Sequence, residues 1–267
     1  MEKVTRAGWE LRAMEELAAQ DSPIHRLNPL AKLIVTVLYI LAVVSFPKYA
    51  LTGLIPMVLY PIVMFQLSGI PVSTCFYKLR LILPLVCAVG IANPFLDRGI
   101  ALRLGGLAVS GGVLSMLTLM LKGVFALMAS FLLVATTRID ALCASLRRLH
   151  VPGLLVTLFL LTYRYVGVMV DEVAAMSEAY ALRAPGQRGV HVSAWGSFLG
   201  QLLLRSMDRA SELYGSMQLR GFHDHFHYVE MPPFGPNSAL YMLAAGAFIA
   251  LARWVNIAGL LGGLFVR

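Results

Sequence analysis

Two arginines are the residues of this chain best suited to chemistry with another molecule. They lie near the ends of two predicted helical runs within 171–221, in the motifs Leu182-Arg183-Ala184 and Leu219-Arg220-Gly221. A guanidinium fixed at a helix end beside a small residue can reach past its own helix and bind a carboxylate through bidentate, charge-assisted hydrogen bonds. Each motif taken alone also fits an ordinary helix stop, because arginine suits the negative end of the helix dipole. Two copies in one polar region favour a pair of binding arginines.

Three alternating histidines follow the second motif: His223, His225 and His227, with Asp224 among them. On an extended strand they would point the same way and could bind nickel, cobalt or zinc. However, they lie in a polar loop just past a helix end, and the sequence indicates no second shell that would hold the imidazoles in place. We therefore predict no metal site. If the chain does bind a metal ion, these three histidines are the candidate ligands.

No set of residues predicts catalysis. The sequence has no GxxxxGK[ST] loop to hold phosphates, no GxSxG turn and no HExxH pair. Carboxylates on the polar helices are typical of solvated or arginine-paired side chains; they are Asp171, Glu172, Glu178, Asp208 and Glu212. None lies deep in a predicted span, which argues against a secondary transporter. We predict no catalytic residue and no cofactor of its own, so any ATP must be bound by another subunit.

The composition predicts a polytopic membrane protein. Hydrophobic residues make up 58% of the chain and charged residues 13%, and the mean hydropathy is +0.75. The net charge of +8 fits positive-inside topology, and no basic-aromatic patch indicates nucleic acid. Segment 1–21 lacks the apolar core of a signal peptide. The three cysteines form no CxxC motif and are expected to be reduced core residues.

Five membrane spans are predicted, with the N-terminus inside and the C-terminus outside. They cover 30–46, 49–67, 76–92, 111–135 and 238–251, and a sixth is possible if 255–266 returns. Pro56 and Pro61 should kink the second span. The alternating segment 100–109 around a Gly-Gly pair predicts a small hairpin. Lys122 interrupts the fourth span and is expected to face protein or to snorkel.

Amphipathic patterns predict three further helices, at 9–19, 138–150 and 192–220. In the last of these, one face should pack and the other should meet water or a partner. Segment 151–170 is apolar and about long enough to span. If it crossed the membrane, the arginine-rich region after it would lie outside, against the positive-inside rule. We therefore place 151–170 within the inner leaflet or against other helices.

The sequence resembles the transmembrane T component of energy-coupling factor (ECF) transporters, cobalt-type CbiQ-like family. Four features carry the resemblance: SPIHRLNP at 22–29 running into Lys32-Leu33, Asn93-Pro94-Phe95, Thr162-Tyr163-Arg164-Tyr165, and the two arginine motifs, the second followed by Phe222. In that family an Ala-Arg-Gly signature occurs twice and couples the membrane subunit to two ATPases. Here Ala184 stands where the first glycine is expected, and Leu219 replaces the second alanine. Arg188-Gly189 could therefore compete with Arg183 for the first role.

The sequence thus predicts an all-α integral membrane protein with about five transmembrane helices, six possible, plus long cytosolic amphipathic coupling helices. Its regions are an N-terminal cytosolic amphipathic segment (1–29), a four-helix transmembrane region (30–136), a cytosolic or interfacial coupling-helix region (137–230) and a C-terminal transmembrane segment (231–267).

The resemblance implies partners in a prokaryotic cytoplasmic (inner) membrane: two ATP-binding cassette ATPase subunits, which bind the ATP, and a small substrate-binding membrane subunit. It also implies cobalt or nickel as cargo, with a vitamin as the alternative. Two other functions remain open, namely a self-contained permease and an integral-membrane enzyme with a cytosolic-face site.

Overall fold

A computed structural model describes residues 2–47, 51–80, 82, 84, 86–88, 90, 91, 100–104, 107–186, 189–222 and 233–254. The helices are α1 Glu2–Ala18, α2 Pro29–Val44, α3 Leu51–Leu54, α4 Leu59–Ser68, α5 Val72–Leu79, α6 Gly111–Thr136, α7 Ile139–Arg148, α8 Gly153–Arg183, α9 Trp195–Leu219 and α10 Pro236–Trp254. Short 3-10 turns cover Ile55–Val58 and Val192–Ala194, and strands β1 and β2 cover Ile100–Leu104 and Leu107–Ser110. The predicted all-α membrane fold is confirmed, and it contains the small hairpin expected around 100–109.

The hairpin is antiparallel and tight. Leu104 pairs with Leu107, so two residues separate the strands, and Arg103 pairs with Ala108. A two-residue connection matches the right-handed twist of paired strands when its residues accept positive φ, as glycines do. The register becomes irregular between Ile100 and Leu102, where the hairpin ends.

Helix α2 organises the larger compact unit, which comprises Leu17–Arg138 and Met231–Arg267. The Asn28 side chain caps its start by accepting the Leu30 N–H at 3.0 Å, and Pro29 occupies the first turn, where no N–H is needed. Packing against α6 and α10 buries Val35 and Tyr39 completely. Helix α6 also contacts α3, α4 and α5, so α2 and α6 together form the core of this unit.

The predicted second span is broken as expected. A 3-10 turn separates α3 from α4 and contains Pro56 in its first turn. Because proline has no N–H and its ring clashes with the preceding turn, a continuous helix cannot pass through this point unchanged. Pro61 lies in the first turn of α4, where proline is tolerated, and Gly69 ends that helix with φ 71°.

Helix α8 is the long element of the second compact unit, Met1–Glu16 with Ile139–Glu230. Cys143 of α7 packs on Val156 and Leu160 of α8 in a small buried cluster, and α9 also contacts α8. Helix α1 is bound to α8 by polar contacts: Arg12 pairs with Asp171 at 3.4 Å and the Tyr163 hydroxyl donates to Glu15 at 3.1 Å. The predicted amphipathic helix 138–150 is α7, with Pro152 and Gly153 after it as expected.

Two described helices, α6 and α8, are long and apolar enough to cross a membrane, and α2 and Ile55–Ser68 are shorter apolar helices. The segment 151–170 is not an independent piece, because it continues without a break into the part of α8 that carries Arg183. Its placement at the inner leaflet stays a prediction. Of the predicted third span, 76–92, residues 81, 83, 85, 89 and 92 lie outside the described residues, and the tail 255–266 lies wholly outside them.

Candidate functional site

The first arginine motif ends helix α8. Arg183 is the last helical residue, and Ala184 closes the helix by donating its N–H to Tyr180 O at 3.0 Å. Ala184 has φ −126° and ψ 67°, a conformation with negative φ that needs no glycine. Leu182, beside the arginine, is 85% exposed. An alanine therefore fits this helix end, where the resemblance led us to expect a glycine.

The second motif ends helix α9 in a different way. Gly221 has φ 80°, its N–H donates to Gln218 O at 2.9 Å, and Phe222 donates to Met217 O at 3.0 Å. These two bonds form a Schellman motif with glycine in the left-handed position. Gly221 is therefore a C-cap in this chain. Leu219, next to Arg220, is 91% exposed.

Arg183 and Arg220 differ from the other arginines of α8 and α9 in their ion pairing. Three arginines on α8 and α9 are paired with acids: Arg164 with Asp140, Arg205 with Glu172 and Arg209 with Glu212. Arg183 and Arg220 are exposed and enter no ion pair with any residue that the structure describes. Their guanidinium groups are thus available to a carboxylate on another molecule.

The alternates to the first motif are only partly described. Gly189 has φ 82° and is exposed, so it occupies a turn that favours glycine. Arg188 lies outside the described residues, and so do His223, His225 and His227. Within the part of the chain that the structure describes, no group of three or more histidines, cysteines or acids could hold a metal ion. The carboxylates Asp171, Glu172 and Glu212 are paired with arginine, as expected from the sequence.

Helix α9 departs from the predicted packing. The periodicity predicts one buried apolar face, but no residue of α9 is buried. Trp195 is 48% exposed and Leu199 is 52% exposed, while Leu213 and Met217 are half-buried. Among the described helices, α8 contacts α9, and the apolar face of α9 stays exposed or half-buried. An amphipathic pattern predicts that one face of a helix is buried, but the covering surface can belong to the same chain or to another.

The sequence also missed a polar junction at the end of α6. Lys32, for which the sequence predicted no contact, is only 2% exposed and donates to Thr136 O at 2.6 Å. It therefore binds the negative end of α6. The one sequence signal for Lys32 was its position in segment 22–33, which carries part of the family resemblance.

Lys122, by contrast, behaves as predicted. Its ammonium faces protein and donates to Val44 O at 3.1 Å. The cysteines also follow the prediction where they are described, since Cys75 and Cys143 are buried free thiols and Cys87 is a half-buried one.

The fold and the composition define an all-α membrane protein in which the long helices α8 and α9 end in exposed arginines. Residues 20–229 match the model of a family described as "CbiQ: Cobalt transport protein". The match extends over most of the chain and includes both arginine motifs. The chain belongs to this cobalt transport protein family.

Several curated proteins are similar to it. The nickel permease LarQ of Lactiplantibacillus plantarum is 32% identical over 91 residues, 34% of this chain and 33% of LarQ. The cobalt transport protein CbiQ of Rhodobacter capsulatus is 32% identical over 132 residues, 48% of this chain and 51% of CbiQ. These alignments span a third and about half of the two relatives.

A longer alignment joins the chain to a third relative. The energy-coupling factor transporter transmembrane protein EcfT of Heliobacterium modesticaldum is 26% identical over 260 residues, which is 88% of this chain and 94% of that protein. All three relatives are transport components by name, and none is named as an enzyme.

Proposed function

We propose that this chain is the transmembrane coupling subunit, the T component, of an energy-coupling factor importer. It would transmit the ATP-driven motion of two ATP-binding cassette subunits to a separate, small substrate-binding membrane subunit in a prokaryotic cytoplasmic membrane. The observation that carries the proposal is that Arg183 and Arg220 have no acidic partner among the described residues, whereas the other arginines of α8 and α9 do. The family match and the relatives named EcfT support the same function.

The surroundings of the two arginines suit docking to another protein. Each follows a leucine at a helix end, Leu182 or Leu219, which is 85% or 91% exposed. An exposed leucine can enter an apolar pocket while the adjacent guanidinium binds a carboxylate at its rim. One such pair on each helix matches one ATPase for each motif.

The direct test reverses the charge of each arginine. In complexes expressed with both ATPases, Arg183→Glu and Arg220→Glu should each reduce co-purification of ATPase, because two like charges then meet where an ion pair had been. Arg148→Glu, an exposed position on α7, is the control. Normal co-purification and transport by the double variant would refute the assignment of these two residues.

We propose cobalt or nickel ion as the cargo, because two of the relatives described above, each 32% identical in the aligned part, are named for nickel and cobalt; a vitamin is the alternative. Uptake of radioactive cobalt and nickel by cells that express the whole complex tests this. Uptake by liposomes that contain this chain alone would instead support a self-contained permease. An enzyme with a site at the cytosolic face would convert its substrate without ATPase subunits.

A further inference from the structure

The covalent chain joins the two compact units of the protein at three places. The larger unit meets the second unit at residues 16–17, 138–139 and 230–231, which we call the first, second and third connections. In a subunit that passes on motion, a displacement of the second unit pulls on the larger unit at each connection. The groups that hold the chain there therefore decide which helices move with it.

The first connection is held by His25. Leu17, the first residue of the larger unit, lies at the end of α1. His25 Nε2 donates to Leu17 O at 3.0 Å, and the other ring nitrogen, Nδ1, lies 2.7 Å from Ser22 Oγ. Both nitrogens of the imidazole are bonded, so the ring is fixed. The end of α1 is thereby tied to the segment just before α2.

Lys32 holds the second connection. Thr136 is the last residue of α6 and lies two positions before Arg138, where the larger unit reaches this connection. Lys32 Nζ donates to Thr136 O at 2.6 Å, and each of the two residues is 2% exposed. A charge-assisted hydrogen bond is stronger than a neutral one, and breaking it here would leave a buried ammonium without this acceptor. The end of α6 is therefore fixed to the first turn of α2.

The third connection is held by a hydroxyl group. Helix α10 begins at Pro236, just after this connection, and Ser238 lies in its first turn. Asn28 donates its N–H to Ser238 Oγ at 3.0 Å, and the two residues are 1% and 4% exposed. Asn28 is also the cap of α2, since its side chain accepts the Leu30 N–H. The start of α10 is therefore bound to the start of α2.

The three holding residues of α2 and its approach lie within positions 25–32, which we call the hub segment. Helix α2 begins in it, α6 ends on it and α10 begins on it, and α2 packs against both other helices. A pull at any connection then reaches a segment that is bonded to the ends of all three core helices. Without such bonds, a pull would only fray the nearest helix end, because terminal residues have the fewest backbone hydrogen bonds to hold them.

We propose that the hub segment passes the displacement of the second unit to α2, α6 and α10, with Lys32 and Ser238 as positioning residues for α6 and α10. The inference rests on the proposed function, because a coupling subunit is the kind of protein that has motion to pass on. A merely stabilising role for the same bonds makes a different prediction. Their loss would then lower the melting temperature without changing how far motion travels through the chain.

Hydrogen–deuterium exchange of the whole complex in detergent tests the proposal, because it reports the opening of each helix separately. Exchange is compared without nucleotide and with ATP plus vanadate, which halts the partner ATPases in a nucleotide-bound state. In the wild type, we expect nucleotide to change exchange in α8 and α9 and also in α2, α6 and α10.

Two variants remove one bond each. Lys32→Met removes the ammonium and keeps the length of the side chain, and Ser238→Ala removes the acceptor at the third connection. The nucleotide-dependent change should fall about tenfold in α6 for Lys32→Met, and by a smaller factor in α10 for Ser238→Ala, because the lost bond is charge-assisted only in the first case. The response of α8 and α9 should persist in both variants.

Lys122→Met is the matched control. Lys122 also donates to a backbone carbonyl of α2, Val44 O at 3.1 Å, but at the opposite end of that helix from the hub segment. This variant loses the same kind of bond within the same unit, so it should respond to nucleotide like the wild type.

Lys32→Met and Ser238→Ala both keep Arg183 and Arg220, so co-purification of the ATPases should be unchanged. Thermal unfolding in detergent shows which variants are folded, and either folded variant suffices because each acts on its own helix. An unchanged response in a folded variant, an equal loss for Lys122→Met, or a wild type whose larger unit does not respond to nucleotide would overturn the proposal. A wild type that retains no ATPase would instead refute the proposed function itself.

Discussion

Ala184 and Gly221 each follow an arginine at a helix end, but their backbones differ: φ is −126° at Ala184 and 80° at Gly221. Only the second conformation lies in the left-handed region that favours glycine. The resemblance led us to expect glycine at both positions. The local geometry explains why alanine occupies the first.

Substitutions of Gly221 distinguish capping from docking. Gly221→Ala should destabilise the α9 end by roughly 1 kcal/mol and Gly221→Asn by less, because asparagine tolerates the left-handed region better. Apart from its two chain neighbours, a Cβ at Gly221 would meet no atom of the described residues within 4 Å. Any further loss of function must then come from a partner surface, and a docking role predicts lower coupled ATP hydrolysis for Asn than for Ala.

The control for that series is Ala184→Gly, which relieves no strain and should leave coupling nearly unchanged. ATP hydrolysis coupled to transport is measured in complexes checked for normal assembly. If Gly221→Asn matches the wild type and only Gly221→Val loses activity, capping accounts for the glycine and the contact hypothesis is wrong.

Glu172 of α8 and Arg205 of α9 form an ion pair that joins the two helices. The Glu172 side chain is 22% exposed and the Arg205 side chain is 48% exposed. We expect a double-mutant cycle of Glu172→Gln and Arg205→Gln to give a coupling energy of about 0.5–1 kcal/mol, since partly exposed pairs contribute little more. Thermal unfolding in detergent measures it. The matched pair is Arg209 with Glu212, within α9 and more exposed, which should give a smaller coupling. Coupling near zero for Glu172 and Arg205 would show that α9 is not held by this contact.

The sequence predicted those features that depend on local chemistry. Proline at 56 interrupts the second span, the glycine pair at 105–106 predicts the hairpin, and Lys122 could not face lipid without a large cost. Each of these outcomes follows from one residue type and its immediate neighbours. The two helix ends at Arg183 and Gly221 were predicted on the same grounds.

The features that the sequence did not predict depend on distant contacts. Lys32 is buried and bonded to the end of α6, 104 positions away, and nothing next to it in the sequence indicates that contact. The exposed apolar face of α9 is a similar case, because periodicity predicts burial and does not show whether the described residues of this chain cover that face. The sequence likewise could not show that Arg164, Arg205 and Arg209 pair with acids while Arg183 and Arg220 pair with none of the described residues.

Cysteine labelling tests the predicted side of the membrane for both motifs. Ser177 lies on α8 before Arg183, and Ser216 lies on α9 before Arg220. In a variant without the native cysteines, Cys at either position should react with an impermeant maleimide only in inside-out vesicles, because the arginine-rich region belongs inside. Labelling in intact cells would show that α8 carries these helices to the outer face.

The His25 ring is hydrogen-bonded through both of its nitrogens. Its Nε2 lies 3.0 Å from Leu17 O and its Nδ1 lies 2.7 Å from Ser22 Oγ. Because a carbonyl can only accept, Nε2 carries the proton and Nδ1 accepts from the Ser22 hydroxyl. The pKa of His25 is lowered, chiefly by burial and to a smaller extent by the nearby charge of Lys32. Hydrogen bonds to backbone carbonyls and the charge of Asp21 raise the pKa, but they do not outweigh burial.

The lowered pKa of His25 predicts a stability that depends on pH. Below the ordinary histidine value of about 6.5, the unfolded chain binds a proton that the folded chain binds less readily, so stability falls as the pH decreases through that range. Above about pH 7.5 the imidazole is neutral in both states and contributes no pH dependence. We expect the melting temperature in detergent to drop more between about pH 7.5 and 5.5 for the wild type than for His25→Gln. The other five histidines are present in both proteins, so the difference isolates His25. An equal drop in the two proteins would contradict the assignment, and a larger drop for His25→Gln would reverse its sign.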